Sequence, residues 1–296
     1  MTPDEGFNTE HHGTLVPAPR LKPRWDGGMA LIYYVLAAAI ALLLGVLLME
    51  PLGFSASIVI AEGGAFFAIP WILSRYFDTG WQQWMKRPRL PREFWGWLAL
   101  AIVSFAIVQS NLPVLLDRFW PIPREQVEFY RDYLAAKSVY ELSLLILIAA
   151  ILPGLCEELA FRGIIHTGLA RSFGAKQAIT WGGGLFALLH LNPWTFIGLW
   201  AFGCFLGYVR ERTGSIMPGM LAHALNNTLA LGAFALQKPE DWTAPPEYLP
   251  WYVVAPAGIA LILAVRGVHR TSVDVAAREQ DTNALFSGPG APTIDS

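Results

Sequence analysis

The sequence predicts an all-α polytopic membrane protein of about eight transmembrane helices, with a core of clustered polar residues formed by helices four to seven. Three observations carry this. Of 296 residues, 54% are hydrophobic and only 15% are charged, against roughly 25% charged in an ordinary soluble domain. Apolar stretches of about 17 to 25 residues, the length a helix needs to cross the hydrocarbon core, recur along the chain. The 12 Trp, 17 Phe, 27 Gly and 21 Pro suit helices in lipid, where aromatic rings gather at the interfaces and Gly and Pro are tolerated inside spans.

In chain order, residues 1–28 are polar and contain proline, which reads as a disordered cytoplasmic tail in which the adjacent His11 and His12 are solvated. The first span, 29–49, is too long for a signal-peptide core and has no cleavage pattern after it, so it is expected to be retained. Spans follow at 54–77, 94–116, 139–170, 175–191, 194–210, 215–236 and 250–266. Within the N-terminal part, 29–138, the segment 80–93 interleaves Trp81 and Trp84 with Lys86, Arg87, Arg89 and Arg92, the composition of a stretch lying along the inner headgroup layer. Asn192-Pro193 makes the turn between spans five and six, and the proline can open the next helix. A second disordered cytoplasmic tail is expected over 271–296.

The distribution of charge gives an independent test of this count. With the N-terminus inside, the inner segments hold the basic clusters 20–24, 86–92, 171–176, 210–212 and 266–270, whereas the outer ones hold only Arg118, Arg124, Arg131, Lys137 and Lys238. Misplacing one helix would invert every later assignment, so an integral, multi-pass protein with both termini in the cytoplasm is the consistent reading. A net charge of −2 offers nothing to draw nucleic acid, and the expected partners are the lipid bilayer and a substrate within it. Cys156 and Cys204 lie in apolar runs without CxxC spacing, so no disulfide or thiolate metal site is expected.

Ionisable groups at membrane depth are costly, and here they are clustered. Span four carries Glu157, Glu158 and Arg162; span five carries His190; span seven carries His223 and Asn227. Glu157 lies 14 residues before Arg171 and His190 lies 14 after Lys176, each about 21 Å from the inner charges at ~1.5 Å rise per residue. By the same ruler from Arg212, His223 and Asn227 sit about 16 and 22 Å deep. One slab of bilayer therefore holds all four. Glu158 and Arg162 are i and i+4 with the acid N-terminal, which suits an intrahelical ion pair. Glu157, about 100° around the helix, is left free for another task. Glu62 in span two reads as a lone carboxylate bonded to a neighbouring helix, outside the site.

Hydrolysis of an amide needs an activated water and donors aimed at the developing oxyanion. Glu157 is suited to be the general base, with His190 holding the same water, and His223 and Asn227 to be the donors. The set Glu157, His190 and His223 is equally acceptable for zinc with an open fourth position. Against zinc, HExxH is absent and a metal-bound Glu157 would leave no separate base, so a metal-free mechanism is preferred and zinc kept as the alternative.

The segments Glu157-Glu158-x-x-x-Arg162, Phe186-x-x-x-His190 and His223-x-x-x-Asn227, in this order on separate hydrophobic helices, resemble the three motifs of the CPBP, or Abi, family of intramembrane proteases. That family includes the type II CAAX prenyl endopeptidases and bacteriocin-processing proteins. The resemblance covers about 139–236 and implies a peptidase in which Glu157 and His190 activate water, His223 and Asn227 form the oxyanion site, and Glu158 and Arg162 support it. The expected activity is hydrolysis of a peptide bond in a membrane-associated peptide or protein, prenylated or leader-bearing. A transporter is the runner-up, although the polar residues lack the two-half repetition typical of transporters. A non-catalytic membrane scaffold is the third reading.

Overall fold

The computed structural model describes residues 22–134, 136, 138–235 and 248–287, the stretch 273–287 by its backbone alone. The described residues are almost wholly helical and hold no strand. We number the helices α1 (Gly27–Tyr76), α2 (Trp81–Trp84), α3 (Arg92–Asp117), α4 (Arg124–Leu134), α5 (Val139–Phe173), α6 (Ala175–Leu189), α7 (Phe196–Thr213), α8 (Met217–Ala235) and α9 (Trp251–Ser287).

Four of these, α1, α3, α5 and the stretch Trp251–Ser272 of α9, are long and apolar enough to cross a membrane. The eight expected spans are thus not all recovered on length and composition. The reason lies in the second half of the chain: α6 has 15 residues, about 22 Å at ~1.5 Å per residue; α7 ends on Arg210-Glu211-Arg212; and α8 carries His223, Asn226 and Asn227.

The helix α1 does not run straight. Tyr33 donates its hydroxyl to the Ala65 carbonyl at 2.9 Å, although 32 residues of straight helix would separate them by about 48 Å. The chain therefore doubles back, and it does so at Gly53, whose φ of 80° and ψ of 168° suit a residue without Cβ. Two antiparallel arms result, close to the expected spans 29–49 and 54–77. The second arm contains a π-helical turn, Glu62–Ala68, and α5 contains two, Leu147–Ile151 and Leu159–Ile165. Pro70 and Pro153 lie just beyond the first and second of these turns; each lacks an N–H and so disrupts the regular ladder.

Three boundaries differ from expectation. The first tail does not extend to 28, because Trp25 is buried and donates its indole N–H to the Ile164 carbonyl at 3.0 Å, while Asp26 caps α1 through the Met29 amide; 1–21, with His11 and His12, lie outside the described residues. The last helix runs to Ser287 rather than giving way to a tail at 271, since 271–287 contain neither Gly nor Pro before Gly288-Pro289; 288–296 lie outside the described residues. In the segment 80–93, Trp84 does not face headgroups: it is buried against Gly163 and donates to the Thr79 carbonyl at 2.9 Å.

Contacts gather the connections into two ends. At one, Asp78 N–H meets the Pro23 carbonyl, Arg171 pairs with Asp78, and Ile216 N–H meets the Trp84 carbonyl. At the other, Phe54 stacks on Tyr133 at 5.0 Å, Trp194 donates to the Trp120 carbonyl at 2.6 Å, and Asn111 accepts from the Leu249 amide at 2.8 Å. Between them, small residues let helices close up: a Cβ on Gly203 of α7 would lie 2.7 Å from Gly183 Cα of α6, and one on Gly154 of α5 would lie 2.8 Å from Ala224 N of α8.

Candidate active site

Glu158 is fully buried, and its Oε1 accepts from Arg162 Nη1 at 2.6 Å, the i to i+4 pair expected from the spacing. The same oxygen lies 3.1 Å from His223 Nδ1. The close approach of α8 to α5 at Gly154 brings the two within reach, and Gly219 lets the carboxylate lie against α8, where a Cβ would sit 2.7 Å from Glu158 Oε2. Arg162 also donates through Nη2 to the Gly203 carbonyl at 3.1 Å and lies 4.6 Å from the centre of the Phe186 ring. One guanidinium thus joins α5, α6 and α7, and Glu158 adds α8.

His190 follows the last residue of α6, and the residue after it, Leu191, has a φ of 49°, a left-handed conformation that costs a non-glycine residue about 1 to 3 kcal/mol. The ending of the helix leaves the Phe186 carbonyl without its usual amide partner, because His190 N–H turns to Ala187 instead. His190 Nδ1 lies 2.9 Å from that carbonyl. A carbonyl only accepts, so Nδ1 carries the hydrogen and Nε2 keeps a lone pair. The spacing Phe186-x-x-x-His190 therefore selects a tautomer. Phe186 stands between the two imidazoles, with ring centroids 4.9 Å from His190 and 5.4 Å from His223.

Glu157 is 6% exposed and makes no ion pair or hydrogen bond among the described residues; its Oε2 is buried without a partner. Together with His190 it lines a cavity of about 610 Å³ between the arms of α1, α5 and the end of α6, walled largely by apolar side chains such as Phe66 and Leu188. His223 and Asn227 do not line this cavity. Asn227 is half-buried; its Oδ1 accepts from Asn226 at 3.4 Å and its Nδ2 has no hydrogen-bond partner among the described residues. Its neighbour Asn226 is the buried member, held by Gln109 of α3 at 3.3 Å.

For the alternative zinc set Glu157, His190 and His223, His223 Nδ1 is turned to Glu158, and among the described residues no three His, Cys, Asp or Glu side chains are grouped to hold a metal ion.

Sequence reasoning left out Glu62 and Tyr34, both of which line the cavity beside Glu157. An ionisable group at span depth was the only signal for Glu62, and its neighbours depend on how α1 folds back.

Residues 140–229 match the family model described as type II CAAX prenyl endopeptidase Rce1-like. No curated protein and no solved structure matches the chain. The matched stretch begins in α5 and ends in α8, and it holds all three motifs. This stretch, 90 of the 296 residues, is thus similar to the type II CAAX prenyl endopeptidases, and four helices among the described residues of the chain are long and apolar enough to cross a membrane.

Proposed function

We propose that the protein is an intramembrane endopeptidase cutting a membrane-associated peptide or protein, prenylated or leader-bearing, with water activated by Glu157 and His190. One observation carries this reading: an unpartnered buried carboxylate and an imidazole with a free Nε2 face the same apolar cavity. Glu157 takes a proton from the water as its oxygen attacks the carbonyl carbon, and His190 Nε2 orients the water by accepting its second hydrogen. The oxyanion is assigned to His223 and the Asn227 amide on the motif resemblance, since neither lines that cavity; such donors are each worth about 3 kcal/mol where they have been removed elsewhere.

In the same reading the chain crosses the bilayer eight times with both termini in the cytoplasm, the arms of α1 and the shorter helices α6, α7 and α8 counting as spans. The deciding measurement compares membrane peptides by mass spectrometry from cells carrying the intact protein, Glu157→Gln, His190→Ala or Asn227→Ala. New termini are expected only with the intact protein, with loss of about 100-fold or more for each variant. Chelators are expected to leave the activity unchanged. Identical peptide sets would instead favour a transporter or scaffold, and solute flux lost in the same variants would single out the transporter.

A further inference from the structure

We propose that Glu62 is the second carboxyl of the catalytic cavity and the donor of the proton that the leaving amine receives. This rests on the peptidase reading given above and adds to it a residue outside the matched 140–229. Glu62 begins the π-helical turn of the second α1 arm. It lines the same cavity as Glu157 and His190, and its Oε2, like that of Glu157, is buried without a hydrogen-bond partner. The structural alternative, a carboxylate tied to a neighbouring helix, would require a hydrogen-bond partner, and Glu62 has none among the described residues. Tyr34 from the first arm of α1, Glu157 from α5 and His190 from α6 line the cavity with it, Tyr33 and Cys156 lie near enough to feel its charge, Arg162 acts on Glu157 from further off, and no cation forms an ion pair with either carboxyl among the described residues. Tyr33 is engaged with the Ala65 carbonyl.

Two like charges in one apolar space repel strongly, and a proton carried by one of the two carboxyls removes that cost. Division of labour follows. Glu157, the ionised member, takes a proton from water as the C–O bond forms and the carbonyl electron pair moves to oxygen. On collapse that pair returns, the C–N bond breaks, and the nitrogen takes the proton of Glu62. The products are a carboxylic acid and an amine; the proton on Glu157 then passes to Glu62 across the cavity or through water, restoring the starting state. No oxidant, reductant or further reactant is needed.

The test uses the full-length protein in lipid nanodiscs with a peptide taken from the cleavage comparison described above. Glu62→Gln is expected to lower kcat about 100-fold with KM little changed, and to remove the alkaline limb of the kcat profile, the limb that reports a required proton. Glu62→Ala is expected to be equally slow but accelerated by added formic acid, which supplies the missing proton inside the cavity. A wild-type kcat and profile in Glu62→Gln, or a rise in KM alone, overturns the proposal. Should Glu62→Gln fail to accumulate, Glu62→Ala without formate rescue overturns it equally. Glu157→Gln separates the two levels: if it still cleaves, the assignment of Glu157 as the base of the proposed function falls, whereas an inactive Glu157→Gln beside an unaffected Glu62→Gln removes only the role assigned to Glu62.

Discussion

Glu158 Oε1 faces two nitrogens, Arg162 Nη1 at 2.6 Å and His223 Nδ1 at 3.1 Å, with no exposure to solvent. Removing one member of such a buried pair leaves an uncompensated charge and costs about 3 to 5 kcal/mol, whereas replacing both by apolar groups of similar volume recovers much of it. Arg162→Met is therefore expected to lower the midpoint of thermal unfolding in detergent substantially, and Glu158→Leu with Arg162→Met to lower it less. Both are expected to be inactive, the double variant because His223 loses the carboxylate that fixes its ring, and Arg162→Met because that carboxylate loses the cation that holds it. The ion pair was legible in the sequence, since i to i+4 neighbours meet on any regular helix. The freedom of Glu157 followed from the same spacing. Glu62 was not legible, because its relation to Glu157 is created by the reversal at Gly53 and no spacing along one helix encodes it. Nor did the sequence distinguish Asn226 from Asn227: only the position of Gln109 on α3 shows which amide is buried.

The helices reach the site through close contacts that a single side chain would disturb. At the crossing of α6 and α7, Gly183 and Gly203 leave no room for a Cβ, and the Gly203 carbonyl also receives Arg162. Gly203→Val is expected to push α7 away from α6, weaken the Arg162 contact, and lower activity together with thermal stability, the latter by about 1 to 3 kcal/mol as in other overpacked interiors. Gly232→Ala in α8, where a Cβ meets nothing within 4 Å, is the control and is expected to leave both unchanged. At this scale the apolar runs marked where helices lie. Their ends were less readable, because Trp25 and Trp84 fill core positions through indole hydrogen bonds that composition near a membrane surface does not reveal. The π-helical turns were also hidden. A turn of this kind holds one residue more than an α turn and so advances the helix face by about 100°, and two of the three begin at or beside Glu62 and Glu158.

Across the whole molecule, connections expected on the inner side touch one another, as at Pro23, Asp78, Trp84, Arg171 and Ile216, and those expected on the outer side do the same, as at Phe54, Tyr133, Trp120 and Trp194. The charge pattern and the contacts are independent, one arising from membrane insertion and the other from packing, and they divide the chain into the same two groups. This supports counting the arms of α1 separately. If α1 crossed once, 77–91 and 118–138 would exchange sides and every basic cluster after it would be reversed. Labelling with a membrane-impermeant maleimide decides between these topologies. In a background with Cys156→Ala and Cys204→Ala, single cysteines are placed at the exposed positions Arg87, Phe119 and Arg270. In intact cells only the cysteine at 119 is expected to react, and after permeabilisation all three. Reaction at 87 with protection at 119 would refute the paired arms of α1. Because Glu62 and Glu157 face each other only when those arms fold together, that result would also dismantle the cavity on which the catalytic assignment depends.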